Sequence, residues 1–304
     1  MPISHAPTFT NVCKNPGLSE LVQQNGDLLF HFGFGTHIHD FKKFFGDVRY
    51  IVMGGSEGRM KNMAHLLRKK FQLDDSAKLE NIATGGRYVM YKVGPVLCVN
   101  HNIGASTLSV VLHEMLKLCD HACIPREAIH IIRIGTSGGI GITPGDVIIS
   151  HKAIDSLMND HFQSAECGKL VPLKMKLDQD AAHELKNLAD EMNMPNVLGG
   201  TMGTDDFYLG QGRLDGAFIS YNQDDKFDFL RRLHNDYGIR NIEMEAHILS
   251  AFTHRAGVKC SIVCVAIVNR LGGDLILASE KTLRCWERAP CELVAEYIRR
   301  KCMS

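Results

Sequence analysis

Short apolar runs alternate with helix-period stretches along most of this chain, and that alternation constrains the fold more than any other feature. Tyr50 to Met53 is an apolar run ending in Gly54-Gly55, after which Met60, Met63, Leu67 and Phe71 recur on one helical face. Tyr88 to Val93 and Val96 to Val99 flank Gly94-Pro95, which marks a hairpin, and Ser106 opens a helix carrying Leu108, Val111, Leu112 and Met115. Further strands are expected at Ile129 to Ile134, Asp146 to Ser150, Val197 to Met202 and Cys260 to Val268. Helices are expected near Asp180 to Met192, Phe227 to Tyr237, Ala246 to Ala256 and Cys291 to Lys301. Such alternation predicts an α/β sheet covered on both faces, with ligands held on loops beyond the strand ends.

No linker or repeat breaks the pattern. With 304 residues, 45% of them apolar, the chain is expected to bury one core in a single domain over residues 27–304. Residues 1–26 are polar and rich in turn formers (Asn11, Asn15, Pro16, Gly17, Asn25, Gly26) and read as an N-terminal extension. Lys+Arg and Asp+Glu both number 34, so no net field draws the molecule onto nucleic acid or an anionic membrane, and any anion must be bound locally. The opening MPISHAPTFT has neither a basic nor an apolar leader segment, and no uncharged apolar run is long enough to span a bilayer. Cys98, Cys260 and Cys264 lie inside apolar strand-like runs, where a thiol behaves as a small hydrophobe. A reducing cytoplasm therefore suits these cysteines better than a disulfide framework.

The stretch Arg133-Ile134-Gly135-Thr136-Ser137-Gly138-Gly139-Ile140-Gly141 is expected to leave a buried strand and enter a loop. Glycines let backbone N–H groups converge on an oxyanion, Thr136 adds a hydroxyl, and the planar guanidinium of Arg133 matches phosphate. An ordinary glycine-rich turn fits the same composition, and the spacing is neither a Walker loop nor a dinucleotide fingerprint. Arg59 follows the Gly54-Gly55-Ser56 loop and Arg87 follows Gly85-Gly86, so each is a cation beside flexible backbone or simply a solvated arginine.

Glu243-Met244-Glu245 sets two carboxylates around a thioether at a helix entrance. There they serve the helix dipole, or they accept from vicinal sugar hydroxyls while the thioether packs on the sugar's apolar face. Gln211-Gly212-Arg213, with Phe207 and Tyr208 just before it, joins an amide, a guanidinium and aromatic faces, as a pyrimidine ring requires. His37/His39, Cys119/Cys123 and Cys260/Cys264 lack the two close pairs of a structural zinc site. No G-x-S-x-G elbow is present, and no cysteine has an evident activating partner.

Together these segments resemble the nucleoside phosphorylase-I superfamily, and within it the eukaryotic uridine phosphorylases, from about Leu28 to Arg300. The most specific pieces are FGDVRYIVMGGSEGRM at 45–60, YKVGPVL at 91–97, IIRIGTSGGIG at 131–141, GQGRLDGA at 210–217 and NIEME at 241–245. The resemblance implies a three-layer α/β sandwich with a central mixed sheet flanked by helices. It implies reversible phosphorolysis of uridine to uracil and ribose 1-phosphate, with inorganic phosphate as co-substrate and no metal or organic cofactor. By the same resemblance Gly55, Arg59, Arg133 and Thr136 hold phosphate, His31, Met244 and Glu245 hold ribose, and Phe207, Gln211 and Arg213 hold the base. His31 and Arg87 are then expected to act in trans across a homodimer.

The match has departures. The family's His-Gly-Met-Gly-x-Pro-Ser loop reads here His101-Asn102-Ile103-Gly104-Ala105-Ser106, two serines after Glu245 are replaced by Ala246-His247, and Gly-Thr-Asp before Arg87 reads Thr84-Gly85-Gly86. Asn tolerates positive φ, so the first loop is expected to keep its path. Asn269-Arg270 stands where purine-handling relatives carry an aspartate, which favours a pyrimidine. The competing readings are a purine phosphorylase or nucleosidase on the same fold and a weakly active nucleoside-binding paralogue. Preference among uridine, deoxyuridine and thymidine is assigned to the Leu271 to Ile276 loop.

Overall fold

The computed structural model describes residue 15, residues 18–74 and residues 78–303. Along the chain run α1 (Leu18–Asn25), β1 (Leu28–Leu29), β2 (Phe34–Gly35), α2 (Phe41–Phe45), β3 (Tyr50–Gly54), α3 (Glu57–Lys70), β4 (Met90–Val93), β5 (Val96–Asn100) and α4 (Ala105–His121). There follow β6 (His130–Gly139), β7 (Val147–Ile154), β8 (His161–Glu166), β9 (Lys169–Lys174), α5 (Gln179–Glu191), β10 (Asn196–Gly203) and α6 (Gln223–Asn235). The chain ends with β11 (Ile239–Glu243), α7 (Ala246–Ala256), β12 (Lys259–Asn269) and α8 (Glu280–Met303). Most of the expected extension 1–26 lies outside the described residues; within its final part, Leu18–Asn25 is a helix.

Eight strands form one mixed sheet in the order β11-β10-β7-β12-β6-β3-β5-β4. Strands β3, β5 and β6 run parallel, β12 is parallel to β6 and antiparallel to β7, and the β4–β5 hairpin closes the far edge. At its other end the sheet curls until β11 pairs antiparallel with the tip of β6, Asn241 opposite Gly139 and Ile242 opposite Gly138. Side chains alternate between faces with the strand period of two. Ile51, Met53, Leu97 and Val99 point into a core shared with α4 and α7, whereas Val52, Cys98, Ile132 and Ile134 point into one shared with α3, α5 and α8. A smaller core lies beneath α6, around Met202, Leu230 and Ile242. This is the expected three-layer arrangement, with both faces of the sheet covered.

Three local readings change. The Arg133 to Gly141 stretch is not a loop: β6 continues to Gly139, and of its glycines only Gly141, beyond the strand, has positive φ (68°). Helix α4 begins at Ala105 with Gly104 as its N-cap, so Ser106 does not cap it. Helix α8 begins at Glu280 rather than near Cys291 and carries Pro290 inside. The β8–β9 hairpin was not foreseen. Its strands are exposed or half-buried except at Leu173, and its turn is Cys167-Gly168, both at positive φ (49° and 78°), rather than the usual Asn-Gly.

Two buried histidines give the fold a pH dependence. Burial pushes both His101 and His130 down to about 4, against a slight upward pull from nearby carboxylates. An unfolded imidazole takes up its proton near 6.5, while the folded one resists until about 4, so their stabilisation is full above 6.5 and lost as the pH falls between those values. Each contributes on the order of 3 kcal/mol across that window. His130 Nε2 lies 2.9 Å from Ser261 Oγ. The expected result for His130→Gln, whose amide can keep that contact without titrating, is a shallower fall of unfolding free energy from pH 6.5 to 4. An unchanged slope would remove His130 from the account.

Candidate active site

The C-terminal ends of β3, β11 and β12 meet the outer half of β6 around a cavity of about 340 Å³. Gly55, Arg59, Arg133, Thr136, Phe207, Gln211, Arg213, Met244 and Glu245 line it together, although they come from segments scattered over the whole chain. It lies beyond the strand ends, where an open α/β sheet leaves backbone groups and loop side chains free to bind.

Arg133, 4% exposed, anchors one wall. Its Nη2 lies 2.9 Å from Glu243 Oε2 and also binds Glu245 Oε2, while Nη1 reaches Cys264 Sγ at 3.2 Å. Two glycines of β6 make room for arginine side chains. A Cβ on Gly135 would stand 2.7 Å from Arg133 Nη1, and one on Gly138 would stand 3.0 Å from Arg270 Cδ. Glycine is needed here to leave room for buried arginines, not to bend the backbone. The two carboxylates flanking the strand end divide the roles that composition left open. Glu243 accepts from the backbone N–H groups of Glu245 and Ala246 (2.6 Å to the latter), satisfying orphan donors at the start of α7. Glu245 instead accepts from Gly104 N–H at 2.6 Å. Burial alone would raise both carboxyls. For Glu245 that is outweighed by Arg133, His101 and the Gly104 N–H, which hold it low, whereas Glu243 is left raised.

The altered loop therefore supports Glu245 directly. Asn102 takes φ 59°, as the sequence suggested, and its Oδ1 accepts from Asn100 Nδ2 at 2.8 Å. Under the loop His101 is fully buried, with neither ring nitrogen partnered. Ser56 caps α3 by accepting from Arg59 N–H at 3.3 Å, so the positive end of a fourteen-residue helix faces the cavity beside Arg59. Arg59 itself lies 3.5 Å from Glu287 of α8.

At the aromatic part of the cavity, Arg213 stacks 4.5 Å over the Phe207 ring and is held by Asp215 at 2.9 and 2.7 Å. Gln211 is 3% exposed, its amide donating to Thr204 Oγ1 at 3.3 Å. Arg270 was not foreseen as a site residue. It is fully buried, lines the cavity and donates to the Gln211 carbonyl at 2.7 Å. Its neighbour Asn269 is occupied elsewhere, accepting from the N–H groups of Gly141 and Leu271 at 3.2 Å. Ser137 and Ile242 also line the cavity without having been marked by the sequence.

His31 and Arg87 stand outside. Arg87 is exposed, and His31 is half-buried with Nδ1 2.6 Å from Glu114 Oε1. Thr84 N–H donates to the Phe32 carbonyl at 2.9 Å, and Gly85 packs against the His31 carbonyl too closely for a side chain. The two residues thus lie on adjoining segments of one surface. Among the described residues, no group of three or more His, Cys, Asp or Glu is placed to hold a metal ion, and no helix is long and apolar enough to cross a membrane.

The model of the phosphorylase superfamily matches residues 49–299. The chain is 40% identical to uridine phosphorylase 2 of Mus musculus, over 95% of this chain and 89% of that protein. It is 36% identical to inactive uridine phosphorylase B of Schistosoma mansoni, over 94% of this chain and 95% of that protein. The crystal structure of Schistosoma mansoni uridine phosphorylase in complex with thymidine superposes with a TM-score of 0.90 at 36% identity, over 95% of this chain and 98% of that one. With its mixed sheet, its cavity at the strand ends and these likenesses over nearly its whole length, the chain belongs to the phosphorylase superfamily, among its uridine phosphorylases.

Proposed function

We propose that this chain catalyses reversible phosphorolysis of uridine in pyrimidine salvage. Phosphate attacks C1′, the C1′–N1 bond breaks, and uracil and ribose 1-phosphate leave, with no metal, organic cofactor or covalent enzyme intermediate. The observation that carries this reading is one cavity that gathers the guanidinium groups of Arg59 and Arg133, the Met244/Glu245 pair and the Phe207/Gln211/Arg213 group. Phosphate binds Arg59, Arg133, Thr136 and the N–H groups around Gly55. Glu245 and Met244 hold the ribose, and Phe207, Gln211 and Arg213 hold the base. Negative charge gathers on the uracil oxygens and meets Arg213 and Gln211, while the phosphate dianion faces the positive sugar. Thymidine in the Schistosoma mansoni relative supports deoxyuridine and thymidine as further substrates. Asn269, turned into a backbone contact, offers no acid to a leaving purine. Buried free thiols such as Cys98 and Cys264 suit the cytoplasm.

The charge around the phosphate site supports a dimer. Arg133 already faces Glu243 and Glu245, and Arg59 faces Glu287, so a dianion needs another cation. Arg87, supplied with His31 by a second copy, provides it. Arg87→Ala and Glu245→Gln are each expected to be inactive alone, whereas mixing them restores about a quarter of the sites by subunit exchange. No recovery in verified mixed dimers would contradict action in trans. The weakly active reading rests on the altered 101–106 loop and on a relative named inactive; the Gly104 to Glu245 hydrogen bond speaks for a working site.

A further inference from the structure

Lys226 on α6 is buried, with only 4% of its side chain exposed, yet it does not line the cavity. Its Nζ lies 2.6 Å from Asp274 Oδ2, and the other oxygen of Asp274 takes Arg270 Nε at 2.5 Å. Arg270, its side chain 1% exposed, then donates to the Gln211 carbonyl at 2.7 Å and faces the Gln211 side-chain oxygen at 3.5 Å. The chain of contacts therefore runs from a lysine behind the site, through a carboxylate on the Leu271 to Ile276 loop, to the base-facing amide.

The charge balance of this chain is unequal. Lys226 and Arg270 are cations and Asp274 is their shared anion, while the nearby Arg213 and Asp215 offset each other. One positive charge is left over, in surroundings of low polarity where charges act strongly on one another. Without Lys226, Asp274 would neutralise Arg270. We infer that Lys226 is a positioning residue for the reaction: by taking up the charge of Asp274 it leaves Arg270 free to stabilise the negative charge gathering on the departing pyrimidine. When the C1′–N1 bond breaks, its electron pair moves into the ring and onto the carbonyl oxygens, and the phosphate oxygen forms the new bond to C1′. The inference rests on the phosphorolysis reading above.

The test compares wild type, Lys226→Met and Lys226→Arg at saturating phosphate, on uridine and on 5-fluorouridine, whose base carries negative charge more easily. Lys226→Met is expected to lower kcat/KM for uridine about 10–100-fold and for 5-fluorouridine several-fold less, with Lys226→Arg recovering most of the loss. The ratio between the two substrates does not depend on how much enzyme is folded, so partial misfolding leaves it readable. Equal losses on both substrates, or no loss, would overturn the inference while leaving the phosphorylase reading intact. A wild type that releases neither uracil nor 5-fluorouracil would instead overturn that reading, and the inference with it.

Discussion

Arg133→Met is expected to abolish measurable uridine phosphorolysis and to destabilise the chain by about 3–5 kcal/mol. The guanidinium is buried between Glu243 and Glu245, and removing it leaves two largely buried carboxylates without their cation. The isolated charges, rather than the missing contacts, set the size of the effect. A second variant separates stability from activity. Adding Glu243→Gln to Arg133→Met removes one stranded charge and should return part of the stability, read from urea unfolding, but no activity. If Arg133→Met keeps wild-type turnover, Arg133 does not belong to the phosphate site.

Arg213→Ala produces the opposite pattern. Its ion pair is with Asp215, whose side chain is 47% exposed, so stability should shift by no more than about 1 kcal/mol. The value of kcat/KM for uridine should fall roughly 10²–10³-fold, as when one donor to developing charge is lost. The KM for phosphate should stay near its wild-type value. Unchanged uridine kinetics would remove Arg213 from the base site, and an equal rise in both KM values would point to a disturbed cavity instead.

How much of this was legible in the sequence depends on whether a signal is local. The buried face of α3 follows from spacing alone, because Met60, Met63 and Leu67 recur at helical intervals and are all buried. Gln211 and Arg213, which the cavity brings together, were visible as candidates because an amide and a guanidinium stand within three consecutive residues. In the β6 stretch the marked arginine does line the cavity, but the stretch is a strand and not the loop that its glycines suggested. A glycine that bends the chain and one that makes room for Arg133 or Arg270 look identical until the partner side chain is placed. Arg270 escaped notice for a similar reason, since its contact with Gln211 spans 59 positions. The pairing of His31 with Glu114 spans 83. Nothing near either residue announces its partner. Conversely, Asn102 was legible because positive φ is a property of the residue itself.

The central claim is tested most directly by measuring uracil release from uridine while phosphate is titrated from zero, with ribose 1-phosphate followed in the same samples. The account predicts no uracil without phosphate, saturation as phosphate rises, one ribose 1-phosphate for each uracil, and slower turnover of inosine. Equal uracil release in phosphate-free buffer, or none at any phosphate concentration, would contradict it.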